Sequence, residues 1–392
     1  MDKEENYDYI IAGAGAAGLS LLAYLMDSAP SLPKKKVLVI DASLEPEADK
    51  TWCFWNQDHR FMELTHHTWK TLQVVSNGEV FKERLTNFGY HCIRSEQYRR
   101  HILERARQAE QITLLETRIH DFGEQNDRAI VHTAKGNFVA EWVFQSVLKP
   151  DSFHQAVVDS SLIQHFKGWE IETDRELFDP ATARLMDFDT EQEGGLTFFY
   201  VLPFSQKTAL VEYTIFSEQM LEENRYDSAL GHYLQQRYGL GSNDYNILRS
   251  EAGAIPMEDR KVPGFYNRRT LNIGTVGGIT KPTTGYTFTR AHQHSREIVR
   301  ALAAGRNPAP WPGSPYRFRV YDIMLLYLLK HETDISRHIF HELFNKNSIE
   351  LLLRFLDEET KFTEELGIFS KLPYAPFFRS IYRMKHRIFT GA

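Results

Sequence analysis

Gly13-Ala14-Gly15-Ala16-Ala17-Gly18 is the first stretch of the chain whose residue types and spacing can do chemistry. In a G-x-G-x-x-G string the first glycine makes a tight turn and the second lets backbone approach a pyrophosphate. The third lets a helix pack closely on a strand. Amides at the helix start then meet phosphate oxygens along a favourable dipole. The string alone is weak evidence, and its context decides. Apolar residues 7–12 precede it, residues 19–26 follow with helical periodicity, and residues 37–40 form a second apolar strand that ends at Asp41. That order predicts a parallel βαβ unit with a right-handed crossover, in which Gly13, Gly15, Gly18 and Asp41 bind a dinucleotide. The plainer alternative is a tight strand–helix turn beside a solvated Asp41.

A second glycine segment lies far along the chain: Asn272-Ile273-Gly274-Thr275-Val276-Gly277-Gly278, then Pro282-Thr283-Thr284-Gly285-Tyr286. It is read as a strand over 271–274, a loop, and a helix over 288–304. Such a loop brings backbone amides to an isoalloxazine ring, so Gly274, Gly277, Gly278, Thr284 and Gly285 favour FAD over NAD as the cofactor.

The elements that must hold these segments follow from pattern. Residues 94–108 read as a helix, with Arg94 at its start. From about residue 163 the pattern becomes alternating, with antiparallel strands near 166–171, 185–188, 196–202 and 208–214. Residues 307–315 are a Pro-rich linker, and from Tyr321 the chain is mostly helical. A length of 392 residues exceeds one core and allows two or three domains. The expected fold class is α/β. A Rossmann-like FAD-binding domain with a parallel sheet (1–70, 92–150 and 265–305, discontinuous) is joined by an antiparallel-sheet substrate domain (71–91 and 151–264) and a helical C-terminal region (306–392).

Composition narrows the function. A net charge of −6 with interspersed signs offers no basic stripe, which sets nucleic acid aside. Cys53 and Cys92 match neither a disulfide framework nor a zinc pattern and fit a reducing cytoplasm. His331, Asp334, His338 and His341 sit at helical spacing, but among charges of both signs and without cysteine, so no metal is expected. No G-x-S-x-G nucleophile turn occurs. The polar N-terminus leaves no targeting segment, and no run of about 18 apolar residues spans a bilayer. At 13 % aromatic, the chain suits a large apolar ligand or a site that handles positive charge, although aromatic cores alone explain the excess equally well.

Four further strings carry a resemblance. Asp49-Lys50-Thr51-Trp52-Cys53-Phe54-Trp55, Leu185-Met186-Asp187-Phe188, Tyr200-Val201-Leu202-Pro203-Phe204-Ser205 with Ala209-Leu210-Val211-Glu212-Tyr213-Thr214, and Lys281-Pro282-Thr283-Thr284-Gly285-Tyr286 resemble the bacterial lycopene beta-cyclases in order and spacing. The family lies within the FAD-dependent hydroxylase and reductase superfamily. The resemblance spans residues 6–305 and implies that fold, FAD active in its reduced form, NAD(P)H as reductant, and an isomerising enzyme (an intramolecular lyase) that turns the acyclic ends of lycopene and related carotenoids into beta-rings. Thr275 departs from the superfamily, which often has an acidic residue there. Arg94 stands where relatives often have a flavin-proximal arginine; an exposed helix-start arginine is the other reading.

Ring formation needs a proton on an alkene, a very weak base, so the acid must be strong in context or the cation strongly stabilised; a carboxyl kept protonated by apolar surroundings is one such device. The resemblance points to Glu212, which shares one strand face with Leu210 and Thr214; alternation does not say whether that face is buried. Asp187 would orient the acid or accept the ring proton, or serve as a strand-end turn carboxylate. Trp52, Phe54, Trp55, Tyr200 and Tyr213 are substrate-facing aromatics that could stabilise a cation, or core. A lipid-dissolved substrate implies a peripheral position on the inner face of the cytoplasmic membrane, through residues 321–329 and the basic aromatic tail after Phe377. A flavin monooxygenase or polyprenyl reductase on the same fold is the competing reading, and a non-catalytic carotenoid- or flavin-binding protein a third.

Overall fold

The structure is a computed structural model that describes residues 5–28, 35–45, 50–55, 60–148 and 161–390. The first four residues, Asp49 of the aromatic string and the boundary expected at 150 and 151 lie outside the described residues.

The glycine turn follows the strand Glu5–Ala12, which pairs in parallel with Val37–Asp41 on one side and Gly136–Gln145 on the other. Ile112–Glu116 extends the sheet in parallel at one end, and Thr270–Asn272 pairs in parallel with Gly136–Gln145 toward the other, where the short antiparallel Phe265–Asn267 is outermost. Parallel strands are covered on both faces and read as continuous apolar runs; accordingly Ile10, Ile11, Leu38, Val39 and Ile40 are fully buried. Helices Ala16–Asp27, Ser95–Arg107 and Phe288–Ala303 pack on one face in one apolar cluster. The first of them begins at Ala16, three residues before the expected Leu19, because Gly15 serves as its N-cap and alanines favour helix. Thr270–Asn272 brings the chain back beside Gly136–Gln145, which places the second glycine segment on the same sheet as the first.

A second sheet of seven strands runs in the spatial order Tyr245–Met257, Leu162–Thr173, Thr208–Ser217, Leu196–Pro203, Thr182–Asp187, Thr71–Ser76 and Glu79–Arg84. The four strands expected from alternation are present and mutually antiparallel; Thr71–Ser76 joins Thr182–Asp187 in parallel. Helix Glu223–Tyr238 covers one face, burying Phe199, Val211, Tyr213 and Ile215. The other face, with Leu162, Phe198, Leu210 and Phe216, packs against Trp55, Trp69 and Tyr90. A small sheet with Tyr90–Arg94 between Thr51–Phe54 and His67–Trp69 supplies those aromatics.

The C-terminal helices begin at Tyr316, five residues earlier than expected, and Leu326, Leu329, Phe344, Leu352 and Ile368 join the core of the second sheet. Their histidines diverge: His341 turns inward against Phe81, whereas His331 and His338 are exposed. Among the described residues no group of three or more His, Cys, Asp or Glu is placed to hold a metal, and no helix is long and apolar enough to cross a membrane.

Candidate active site

The two glycine segments meet. Gly13 has φ +105°, which only glycine adopts readily, and a Cβ at Gly18 would fall 1.9 Å from the Gly13 carbonyl oxygen. Gly15 differs: a Cβ there meets no atom within 4 Å, so the space in front of the helix N-terminus is open. First-turn amides of a helix lack partners within it, and here they face that space. The Asp41 carboxylate accepts the Ala14 amide and, at 3.1 Å, the Ser43 amide. Gly274, with φ +66°, approaches so closely that its Cβ would lie 3.0 Å from that of Ala17. Gly278 and Gly285 also need positive φ, and beside the Gly274–Gly278 loop lies a cavity of about 400 Å³. An open cradle at Gly15, with the Gly274 loop packed against the same helix start, fits an extended dinucleotide ending in a planar ring.

The second loop abuts the second sheet. A Cβ at Gly285 would lie 2.6 Å from Gln164 Oε1, a buried oxygen without a hydrogen-bond partner. Gln164 shares its sheet face with Gly168, and through the register with Glu212, Tyr200 and Glu251. Gly168 lies directly opposite Glu212 on one side and Glu251 on the other. With no side chain between them, the two carboxyl groups hydrogen-bond over the glycine. Thr214 Oγ1 donates to Glu212 Oε1 at 2.9 Å, and Thr51 Oγ1 to Glu251 Oε2 at 2.8 Å.

Counting charges assigns the proton. Arg249 pairs with Glu251 at 2.8 Å and with Glu170 at 3.2 Å, and Arg94 pairs with Glu170 at 2.5 Å. Two guanidinium groups thus neutralise two carboxylates, leaving Glu212 without a cation of its own. Burial, then the Glu251 charge, hold the Glu212 carboxyl well above the usual carboxylate range; Lys50 opposes them with the smallest effect. Glu212 is therefore the protonated partner. It is half-buried, as are Cys53, Tyr200 and Tyr286, which cluster close enough to influence one another's charge. Tyr286 hydrogen-bonds both Tyr90 and Tyr200.

The remaining expected residues divide. Trp55 joins the site, stacked on Tyr90 and edge-on to Tyr286 at 4.7 Å between centroids. Phe54 and Trp52 pack on Phe288, at the start of the helix that follows the second glycine loop. Tyr213 and Asp187 are not brought to Glu212. Both face helix Glu223–Tyr238 across the sheet, where Asp187 is fully buried and accepts from Arg184 at 3.0 Å, Arg237 at 2.9 Å and Tyr233 at 2.8 Å. Arg94 ends a strand and caps the start of helix Ser95–Arg107, and its guanidinium is half-buried and paired with Glu170. Glu251 and Arg249 escaped the sequence reading because Tyr245–Met257 carries polar residues on its inward face, so its alternation does not read as a core strand.

Comparison with known proteins places this arrangement. The family model described as lycopene cyclase protein matches residues 8–382, well past residue 305 and into the last helix. A lycopene beta-cyclase from Pantoea ananas is 26 % identical over 297 residues, covering 73 % of this chain and 72 % of the relative. Among solved structures, a geranylgeranyl bacteriochlorophyll reductase-like protein from Thermoplasma acidophilum aligns with 98 % of this chain and 99 % of its own at TM-score 0.63 and 13 % identity. A halogenase in complex with FAD aligns with 97 % of this chain and 86 % of its own at TM-score 0.61 and 11 % identity. The two structures share the Rossmann-like flavoprotein fold with this chain. The family match takes in the glycine turn, the acid strand and the second glycine loop alike, and the chain belongs to the lycopene cyclase family.

Proposed function

We propose that this chain is a lycopene beta-cyclase that converts the acyclic ends of lycopene into beta-ionone rings, giving gamma- and then beta-carotene, with no net redox change. The observation that carries the reading is the Glu212–Glu251 pair, a carboxyl held protonated beside Tyr200, with Tyr286 and Trp55 packed close by. Glu212 gives its proton to the terminal alkene, and a neighbouring double bond attacks the tertiary cation to close the ring. Once that proton has left, two carboxylates face the cation, as fixed negative charge that needs no reorganisation. The π faces of Tyr200 and Trp55 add about 0.5–2 kcal/mol each.

The glycine segments divide the cofactor between them. Gly13, Gly15, Gly18 and Asp41 would hold the ADP half of FAD, and Gly274, Gly277, Gly278, Thr284 and Gly285 the ring half. Arg94 would support the ring side by fixing Glu170 and, through Arg249, the acid pair. Bound FAD, reduced by NAD(P)H, would supply an anionic ring beside the cation. We take 1–70, 92–150 and 265–305 as the flavin unit, 71–91 and 151–264 as the substrate unit, and 306–392 as the helical region. The substrate dissolves in lipid, and the exposed Phe378, Tyr382 and Phe389 among Arg383 and Lys385 suit a peripheral position on the inner face of the cytoplasmic membrane.

Lycopene in vesicles, incubated with protein, FAD and NADPH, tests the reading. The expected product has unchanged mass in ordinary water and carries solvent deuterium in the ring when formed in deuterated water. Glu212→Gln keeps its flavin but loses roughly 10²–10⁴-fold in turnover. A product heavier by two hydrogens or by oxygen places the chain with the reductases or monooxygenases instead.

A further inference from the structure

The C-terminal helices, where no motif pointed to chemistry, contribute a third carboxyl beside the Glu212–Glu251 pair. Asp357 lines a narrow cleft with Cys53, Trp55, Lys281, Tyr286 and Arg290. It caps the C-terminus of helix Ile349–Leu356, where the helix dipole opposes negative charge. The next residue, Glu358, has φ +64° at a position usually given to glycine. That turn is tied down from inside the protein: Glu358 accepts from Lys281 at 3.0 Å and Arg290 at 2.6 Å, and buried Lys281 also holds Asp322 at 2.8 Å. Strained backbone fixed by surrounding structure is characteristic of functional sites, and here its effect is to set the adjoining Asp357 in the cleft.

Two tyrosines stand between this cleft and the acid. Tyr286, on the cleft wall, hydrogen-bonds Tyr200, and Tyr200 is the direct cross-strand neighbour of Glu212. Asp357 and Glu212 therefore lie on the two sides of this tyrosine pair.

We propose that Asp357 is the base that removes the ring proton, and that Tyr286 and Tyr200 return this proton to Glu212. The proposal rests on the cyclase reading. Glu212 forms a C–H bond at the terminal alkene carbon, and the neighbouring π pair forms the ring C–C bond and moves the cation to a ring carbon. The Asp357 carboxylate takes a proton from the carbon beside it, whose C–H electron pair becomes the ring double bond. Asp357 then passes a proton to Tyr286, Tyr286 one to Tyr200, and Tyr200 one to Glu212, so no electrons are gained or lost. Burial, then Glu359, push Asp357 up to about 7 against the pull of Arg290; Glu358, Lys281, Tyr286 and Cys53 are the other ionisable groups facing it. A group that titrates near neutrality can take and release a proton in each cycle.

Asp357→Asn tests the assignment against Asp357→Glu and wild type. The expected Asn variant binds FAD, turns over lycopene about a hundredfold more slowly, and loses the wild-type dependence of rate on pH near 7. Its product keeps the mass of beta-carotene but shifts toward isomers with the ring double bond elsewhere, because another base removes a different hydrogen. Asp357→Glu recovers the pH limb and the beta-ring. A carboxyl infrared band that titrates near pH 7 in wild type and is absent from the Asn variant gives a readout independent of turnover. Wild-type rate, pH profile and product from Asp357→Asn overturn the proposal, as does uniform slowing with profile and product unchanged. A wild type that forms no ring overturns the cyclase reading itself.

Discussion

Glu212 and Glu251 stand on strands that are not neighbours, and their carboxyl groups meet over Gly168 of the strand between them. A Cβ at Gly168 would lie 3.1 Å from Leu210 Cδ1 and 3.2 Å from Glu212 Cβ, tight enough to push the acid aside. Gly168→Ala should cost about 1–3 kcal/mol through overpacking and reduce turnover while flavin content holds; Gly168→Val should abolish turnover. Melting curves and lycopene assays on both variants check this, and full activity from the valine variant sinks the shared-proton arrangement.

The same pair sets a pH dependence of stability. Folding raises the Glu212 carboxyl well above its ordinary 4.5, so the folded protein keeps a proton that the unfolded chain gives up. This contribution is complete below the unfolded value and is lost as pH rises toward the folded one. Glu212→Gln has nothing to ionise there. Its melting temperature relative to wild type should therefore climb from pH 5 to pH 9, and a constant difference across that range would mean that Glu212 is ionised in the folded protein.

Asp187 holds the far face together. With its carboxylate fully buried under Arg184, Arg237 and Tyr233, Asp187→Asn leaves a guanidinium uncompensated. The expected loss is about 3–5 kcal/mol of stability, with turnover per folded molecule unchanged. Denaturant titration beside active-site-normalised rates distinguishes this from a role in orienting the acid, which would lower the rate at full stability.

Local signals carried the nucleotide end into view. The glycine turn, its flanking apolar runs and Asp41 are contiguous, and their chemistry is written in backbone requirements that only glycine meets. The acid end was half visible. Alternation placed Leu210, Glu212 and Thr214 on one face, but both faces of that sheet are covered, one by helix Glu223–Tyr238 and one by aromatics around Trp55 and Tyr90. Period two therefore could not separate Glu212 from Tyr213. Glu251 and Asp357 reach the site from 39 and 145 residues further along, through strand register and helix packing, which no short window of sequence encodes. Gly168 in the middle of a strand was the one local hint, since a glycine there marks a close approach.

Gly15 offers a test that separates folding from cofactor binding. Its φ of −76° suits any residue, and no atom lies within 4 Å of an added Cβ. Gly15→Val should therefore fold like wild type without cofactor and purify colourless, because the side chain fills the space that the pyrophosphate needs. Full flavin absorbance in that variant overturns the assignment of the loop.

The last helix presents an exposed aromatic and basic surface, and its proposed role as the membrane anchor is measurable. Helix Tyr374–Thr390 docks through Met384 and Ile388, which pack on Ile323, and leaves Phe378, Tyr382 and Phe389 at 68 %, 68 % and 77 % exposure. Spacings of four and seven residues put the three on one side of the helix, with Arg383 and Lys385 exposed beside them. Aromatics flanked by cations suit the headgroup boundary of an anionic bilayer. Burying each side chain contributes about 1.5–3 kcal/mol, or roughly ten- to a hundredfold in partitioning per residue, and the cations add a salt-sensitive part. Serine at all three positions should release the protein from anionic vesicles in a flotation assay, while high salt alone releases it only in part. The variant should also process lycopene offered in detergent at the wild-type rate and lycopene offered in vesicles far more slowly. If it floats as well as wild type, the anchor lies elsewhere on the molecule, and the exposed aromatics of this helix serve another contact.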